Sequence, residues 1–120
     1  MSDIFARPVF QRVRRLCLML PEAVEAIAWG HPVFRVGKKT FCAFELIKKR
    51  PTIAFRLPPD DVEAAIARGA VVTPYGRGIW ASVRVDEALD WDAIARYADR
   101  SYRTVATKRQ VASLDARRSG

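Results

Sequence analysis

The sequence has little of the chemistry on which most metal proteins and many enzymes depend. It contains one histidine, His31, and two cysteines, Cys17 and Cys42, which are too far apart for a CxxC motif. A single histidine excludes any site built from two histidines, and the cysteine spacing supports neither a zinc knuckle nor a redox motif. We therefore expect no metal, no cofactor, and two reduced cysteines that are buried as small apolar residues.

Long apolar runs are also missing. The longest falls far below the roughly 18 residues that span a bilayer. The N-terminus lacks the positive start, the apolar stretch and the small-residue cleavage site of a secretory signal. These absences predict a cytoplasmic protein with no membrane partner.

Acidic residues are scarce relative to basic ones. Lys and Arg number 21 against 13 Asp and Glu, which gives a formal net charge of +8. Between Trp29 and Leu57 there are seven basic residues and one acid, Glu45. Most of the remaining acids lie where helices are predicted to begin, and there they complement the helix dipole. A basic central segment favours a polyanionic partner.

The spacing of apolar residues predicts an α+β domain. A length of 120 residues, half of them hydrophobic, suffices for one domain that folds without metal or disulfide bonds. Helical spacing predicts an N-terminal helix, a short middle helix and a long C-terminal helix capped by Asp90, while alternation between them predicts an antiparallel sheet of five to six strands. We expect this domain over residues 1–107 and a disordered basic tail over residues 108–120.

The stretch from Trp29 to Phe44 organises the predicted sheet. Two apolar runs flank Gly37-Lys38, which predicts a hairpin whose turn needs a positive φ. On the second arm, simple alternation places Phe41 and Ala43 on one face and Cys42 and Phe44 on the other. Apolar residues on both faces predict an interior strand, or one that is covered on both sides. A second hairpin is predicted with Arg77 at its tip.

His31 is the one candidate for acid–base chemistry. Cys42 or Ser82 could serve as nucleophile and Glu45 as carboxylate, but the sequence does not bring them together. The simpler interpretation is that the imidazole forms a hydrogen bond to a neighbouring loop. We therefore assign no catalytic residue and expect no enzyme.

Several short motifs together resemble the MmcQ/YjbR family over roughly residues 9 to 107. They are Leu20-Pro21-Glu22-Ala23-Val24-Glu25, Gly30-His31-Pro32-Val33-Phe34-Arg35-Val36-Gly37-Lys38, Leu57-Pro58-Pro59, Thr73-Pro74-Tyr75-Gly76, Gly78-Ile79-Trp80-Ala81-Ser82-Val83, Leu89-Asp90-Trp91 and Ser101-Tyr102. The resemblance implies a small bacterial α+β domain similar to the CyaY-like fold, with a double-wing-like architecture that is often labelled DNA-binding. Iron binding of the frataxin type is disfavoured, because it needs a carboxylate-rich ridge and the acids here are dispersed.

Two functions follow as hypotheses. The first is sequence-tolerant binding of DNA phosphates through basic hairpin tips, by Arg35, Lys38, Lys39, Arg77 and Arg84. The alternative is a small-molecule or protein interaction module that uses an aromatic groove formed by Trp29, His31, Phe34, Tyr75 and Trp80. Basic tips that converge on one face would favour the first hypothesis, and scattered tips would favour the second. The sequence does not indicate the oligomeric state.

Overall fold

A computed structural model describes residues 4–74, 78–85 and 88–119 of the chain. Its helices are a short 3-10 turn at Ile4–Ala6, α1 (Pro8–Leu18), α2 (Pro59–Ala67), α3 (Trp91–Val105) and α4 (Lys108–Ser119). Its strands are β1 (Ala23–Ala28), β2 (His31–Val36), β3 (Lys39–Ile47), β4 (Arg50–Arg56), β5 (Val71–Val72) and β6 (Trp80–Arg84).

The strands form one six-stranded antiparallel sheet in the order β1-β2-β3-β4-β6-β5. This confirms the predicted α+β class. Gly37 has a φ of +61° at the turn between β2 and β3, as the predicted hairpin requires. The Asp90 cap of α3 is also confirmed, because its Oδ1 accepts hydrogen bonds from the backbone N–H groups of Asp92 and Ala93 at 3.0 and 3.1 Å.

Helices α1 and α3 cover one face of the sheet, where the main core lies. Fully buried aromatic side chains fill this layer: Phe10, Phe34, Phe41, Phe44, Phe55 and Tyr102. Their rings meet at tilted or edge-on angles, as in the pair of Phe34 and Phe44 at 5.2 Å. Burial of this apolar area is the main force that holds helices and sheet together.

A β-bulge in β3 overturns the predicted alternation of that strand. Phe34 of β2 pairs with Cys42, whereas the next residue, Arg35, pairs with Thr40, so Phe41 is the extra residue. Phe41 therefore joins Cys42 and Phe44 in the main core, where its ring contacts Tyr102 at 5.9 Å. The prediction that Phe41 shares a face with Ala43 is wrong, because a bulge shifts the side-chain period by one residue.

Both cysteines are free and buried, as predicted. Cys17 lies on α1 and Cys42 on β3, and their thiols interact. Burial raises the pKa of the Cys42 thiol, and its hydrogen bond with Cys17 raises it further. Cys42 therefore stays a neutral thiol over the physiological range of pH.

The structure corrects the prediction of a disordered tail. Residues 108–119 form α4, and Leu114 is buried in the main core. Ion pairs hold this helix to the rest of the fold: Arg103 with Asp115 at 2.7 Å, Arg118 with Asp99 at 2.6 Å and Arg109 with Glu22 at 3.0 Å. Helix α4 is polar in composition because only a narrow stripe of its surface is buried.

Among the described residues, only strand residues form the cluster on the opposite face of the sheet, and the helices contribute none. The centre of this face is a small cluster of Val33, Ala43 and Ala54, which pair with one another across β2, β3 and β4. Trp80 of β6 packs against this cluster from the side. We call this surface the open face. None of the helices in the described ranges is long and apolar enough to cross a membrane.

Candidate ligand groove

The open face contains a groove of about 470 Å³. Val33 and Ala43 form its floor, and the surrounding residues are Ala28, Trp29, His31, Arg35, Thr40, Glu45 and Trp80. This volume lies in the range that small-molecule sites occupy, and the mixture of an apolar floor with a few polar groups is typical of them. We call this site the ligand groove.

The groove exists because small side chains alternate with large ones along the central strands. Phe34, Phe44 and Phe55 project into the helix-covered core, so their neighbours Val33, Ala43 and Ala54 occupy the open face. Because these side chains are small, the centre of the open face is a depression. Trp80 lies on β6, next to β4, and its large side chain forms a side wall of the groove.

Trp29 occupies an unusual position at the other side of the groove. It forms the turn between β1 and β2 together with Gly30, and both residues have positive φ values, 55° and 79°. Such a two-residue turn favours Asn-Gly, and a bulky residue in the left-handed region costs roughly 1–2 kcal/mol. Trp29 is nevertheless 97% exposed, so packing within the protein does not compensate this strain. The turn between β3 and β4 has positive φ values too, at Lys48 and Lys49, so this backbone conformation belongs to the tight hairpins of this sheet. What sets Trp29 apart is that a large, exposed indole lies at the edge of the groove.

Two groove residues carry buried polar atoms without a hydrogen-bond partner. They are Nδ1 of His31 and Oε1 of Glu45. The two residues lie on adjacent strands, each two positions from the paired residues Val33 and Ala43. Leaving such an atom unpaired costs about 1–3 kcal/mol, so these two buried atoms lower the stability of this part of the fold.

The His31 side chain does not form the predicted hydrogen bond within the described residues. Instead, its ring packs edge-on against Phe5, at a centroid distance of 5.6 Å. Phe5 belongs to the N-terminal 3-10 turn and is buried in the main core. The N-terminal 3-10 turn therefore packs against the imidazole of His31, and His31 also lines the ligand groove.

Arg35 supplies positive charge on the groove wall. Its Nε donates a hydrogen bond of 3.1 Å to Oγ1 of Thr40, its partner on β3. No carboxylate in the described ranges lies within ion-pair distance of this guanidinium. The remaining N–H donors can therefore bind an anionic group.

The structure brings together part of the predicted aromatic set. Trp29, His31 and Trp80 line one groove, whereas Phe34 lies fully buried on the opposite face of the sheet. Placing Phe34 in the groove was wrong, because strand alternation turns it away from Val33. Tyr75 lies outside the described residues. Sequence reasoning named Glu45 only as a possible carboxylate beside His31 and did not single out Thr40, although both stand at open-face positions of β3 and line the groove.

Of the predicted DNA-binding residues that the structure describes, three lie together and one lies apart. Arg35, Lys38 and Lys39 lie at the end of the sheet where β2 turns into β3. Arg84 pairs with Thr52, which pairs with Glu45, so it lies toward the opposite end. The length of β3 from Glu45 to Lys39 is about 20 Å at roughly 3.3 Å per residue. Arg77 lies outside the described residues.

A larger cavity, about 580 Å³, lies among α2, α3 and α4 on the other side of the molecule. Two of its four arginines pair with acids, Arg100 with Asp61 at 2.9 Å and Arg118 with Asp99 at 2.6 Å. The other two, Arg68 and Arg96, give its lining an excess of positive charge. The described residues contain no cluster of His, Cys, Asp and Glu that could hold a metal ion.

Comparisons with known proteins agree with the motifs in the sequence. The family model described as YjbR matches residues 18–104. A crystal structure of protein DR2400 from Deinococcus radiodurans, described with a DUF419 domain, superposes with a TM-score of 0.70 at 18% identity, over 88% of this chain and 86% of that one. A Pseudomonas syringae protein solved by structural genomics gives a TM-score of 0.67 at 13% identity, over 80% of this chain and 97% of that one. A search of curated proteins finds no match.

Proposed function

The chain belongs to the YjbR family, and from the geometry of its open face we propose that it is a binding module that holds a small molecule in the ligand groove. One observation supports this most strongly. The groove combines a strained, exposed Trp29 with two buried polar atoms, His31 Nδ1 and Glu45 Oε1, that lack hydrogen-bond partners. These features cost stability, as expected of a surface that serves binding and not the support of the fold.

A fluorescent anionic aromatic probe, 1-anilinonaphthalene-8-sulfonate, tests the proposal. We expect saturable binding with one site per chain, because the groove offers an apolar floor and the Arg35 guanidinium. Trp80→Ala should weaken this binding at least tenfold. The matched control is Trp91→Phe, since Trp91 lies on the helix side beneath Arg12, at 4.0 Å. Equal binding by the Trp80→Ala and Trp91→Phe variants, or no binding by the wild type, would refute the proposal.

Duplex DNA is the second candidate ligand. The net charge of +8 and the exposed pair Lys38 and Lys39 beside Arg35 favour it. If about four phosphates are engaged, log K should fall against log salt with a slope near −3.6. Replacing both lysines by alanine should flatten that slope, whereas Lys108→Ala on α4 should not. Binding no tighter than about millimolar at low salt would exclude this candidate, since ordinary non-specific association is stronger.

The proposed activity is binding, with no catalytic step. We also propose that the protein works in the cytoplasm. The buried, free thiols of Cys17 and Cys42 support a reducing compartment.

A further inference from the structure

We infer that two copies of this chain associate through β1, so that their β1 strands pair antiparallel and join the two sheets into one. The inference concerns a different surface from the ligand groove and does not rest on the proposed function. Three observations support it: the unpaired backbone groups of β1, its exposed apolar side chains, and a register in which it pairs with itself without opposing like charges.

Strand β1 forms one edge of the sheet, and half of its backbone groups face away from β2. The two-residue turn after β1 joins Ala28 to His31 by a backbone hydrogen bond, as such turns do. Because bonded and unbonded pairs alternate along an antiparallel ladder, the N–H and C=O groups of Glu25 and Ile27 point outward. In the part of the chain that the structure describes, these outward groups have no hydrogen-bond partner.

This edge lacks the features that keep exposed strands apart. Natural sheets protect their edges with very short strands, with lysine or with proline. Strand β1 has six residues and contains neither lysine nor proline, whereas the opposite edge, β5, has only two residues. An unprotected edge of this length, about 20 Å at roughly 3.3 Å per residue, is a template for another strand.

Exposed apolar side chains lie on both faces of β1. Val24 pairs with Arg35 and lies on the open face, and Ile27 pairs with Pro32 and lies on the helix side. Val24 is 52% exposed and Ile27 is 66% exposed, so the helices leave Ile27 largely uncovered. A strand added beside β1 would remove apolar surface from water on both faces.

The chemistry of the edge favours a second copy of this chain as the partner. The one charged side chain of β1 is Glu25, which already forms an ion pair with Arg14 at 2.7 Å. A strand that adds here should therefore be apolar and nearly uncharged, with unpaired backbone groups of its own. Strand β1 itself meets this description.

One register lets β1 pair with itself. A two-fold axis perpendicular to the sheet keeps the open faces of both copies on the same side. With the axis at Ala26, Glu25 lies opposite Ile27 of the second copy, and the outward N–H and C=O groups of these two residues bond to one another. An axis at Glu25 would instead place two carboxylates opposite each other, which is unfavourable.

The expected dimer is reversible. One pair of six-residue strands buries less than the roughly 1,200 Å² of a standard stable interface. Each copy also carries a formal net charge of +8, and the resulting repulsion is screened by salt. We therefore expect dimers at high protein concentration, and an association that strengthens as salt is added.

Sedimentation equilibrium over a range of protein concentrations tests the inference on the full chain. Ile27→Lys places a charge at the edge and should raise the dissociation constant of the dimer about tenfold or more. The matched control is Val72→Lys, the same kind of change at an exposed position of β5, on the other edge of the sheet. It should bind its second copy like the wild type. Circular dichroism and thermal melting establish that each variant is folded.

Cysteine cross-linking tests the register. With the proposed axis, Ala26 faces Ala26 of the second copy in an unbonded pair, where opposed Cα atoms are about 4.5 Å apart. A disulfide bond spans this distance, so oxidised glutathione should convert Ala26→Cys into a covalent dimer. Val24→Cys is the control, because its two copies would lie about 13 Å apart along the strands. The native cysteines are buried, and the wild type measures their contribution.

Three results would overturn the inference. A wild type that stays monomeric up to about 1 mM would exclude the association. A dimer that Ile27→Lys leaves intact, or that Val72→Lys weakens equally, would use another surface. Failure of Ala26→Cys to cross-link, or equal cross-linking of Val24→Cys, would exclude the register. None of these results bears on the ligand groove, which the fluorescent probe tests separately.

Discussion

The two faces of the sheet are built from neighbouring residues and have opposite properties. Phe34, Phe44 and Phe55 point toward the helices and are completely buried. The residue before each of them, Val33, Ala43 or Ala54, lies on the open face. The same strands therefore carry large aromatic side chains on one side and small aliphatic ones on the other.

The two faces therefore contribute unequally to the stability of the fold. On the helix side, large rings interlock with one another and with Tyr102, whose hydroxyl donates a hydrogen bond of 2.8 Å to the carbonyl oxygen of Pro21. On the open face, small residues leave a groove, and polar atoms of His31 and Glu45 lack partners. A surface with unsatisfied polar groups and a strained tryptophan contributes little to stability, and the proposed binding function would account for its composition.

Phe44→Ala should give the largest loss of stability. Phe44 contacts the rings of Phe5, Phe10 and Phe34, so truncation leaves a cavity in the aromatic layer. We expect a loss of about 3–5 kcal/mol in the free energy of unfolding. Urea unfolding should show a lower midpoint with an unchanged slope. A loss below about 1 kcal/mol would mean that the helix side is not the stabilising face.

Tyr102→Phe should have a smaller effect on the same face. The change removes one hydroxyl and leaves the Pro21 carbonyl without its donor, which costs about 1–3 kcal/mol if water does not reach it. Urea denaturation measures this loss at neutral pH. A variant as stable as the wild type would indicate that water replaces the phenol.

Tyr102 also predicts a dependence on alkaline pH. Burial, and then the nearby charge of Glu22, raises the pKa of its phenol. Its contribution to stability is therefore complete below the unfolded pKa of about 10 and is lost as pH rises through the higher folded value. Between about pH 9 and pH 11 the melting temperature of the wild type should fall more than that of Tyr102→Phe. Parallel curves would contradict this assignment.

Asp115→Asn should weaken the attachment of α4 by a smaller amount, because the ion pair with Arg103 lies at the surface. The hydrogen bond from Arg103 lowers the pKa of the Asp115 carboxyl. Its stabilising effect is therefore present above the unfolded pKa of about 3.9 and is lost as pH falls through the lower folded value. The wild type should melt slightly above the variant at pH 7 and together with it near pH 2. An equal difference at both values would rule out this ion pair as the cause.

Trp29→Asn should change stability least, and in the opposite direction. Asparagine adopts the positive φ of this turn more readily than tryptophan, so we expect a gain of at most about 1 kcal/mol. The same variant should bind the fluorescent probe more weakly. A loss above about 1 kcal/mol would show that Trp29 stabilises the fold and would remove the contrast between the two faces.

The sequence predicted features that depend on neighbouring residues. The Gly37 turn, the Asp90 cap and the interior position of β3 each follow from local conformational preference or apolar pattern, and all are confirmed. The bulge at Phe41 and the helix at residues 108–119 were missed. A bulge leaves no mark in a run of apolar residues, and α4 is held by Leu114 and by ion pairs to distant acids such as Glu22. Contacts of this kind cannot be read from local composition.

By itself, the sequence determined the family, the α+β class and the residues that would be apolar or charged, because these follow from motifs, periodicity and composition. Tertiary structure decided which of those residues share a surface. In the folded chain Phe34 lies in the core, Arg35 and Glu45 line one groove, and Arg84 lies toward the other end of the sheet. The reason is that pairing register and side-chain alternation are set by long-range contacts, and a shift of one residue exchanges the two faces of a strand.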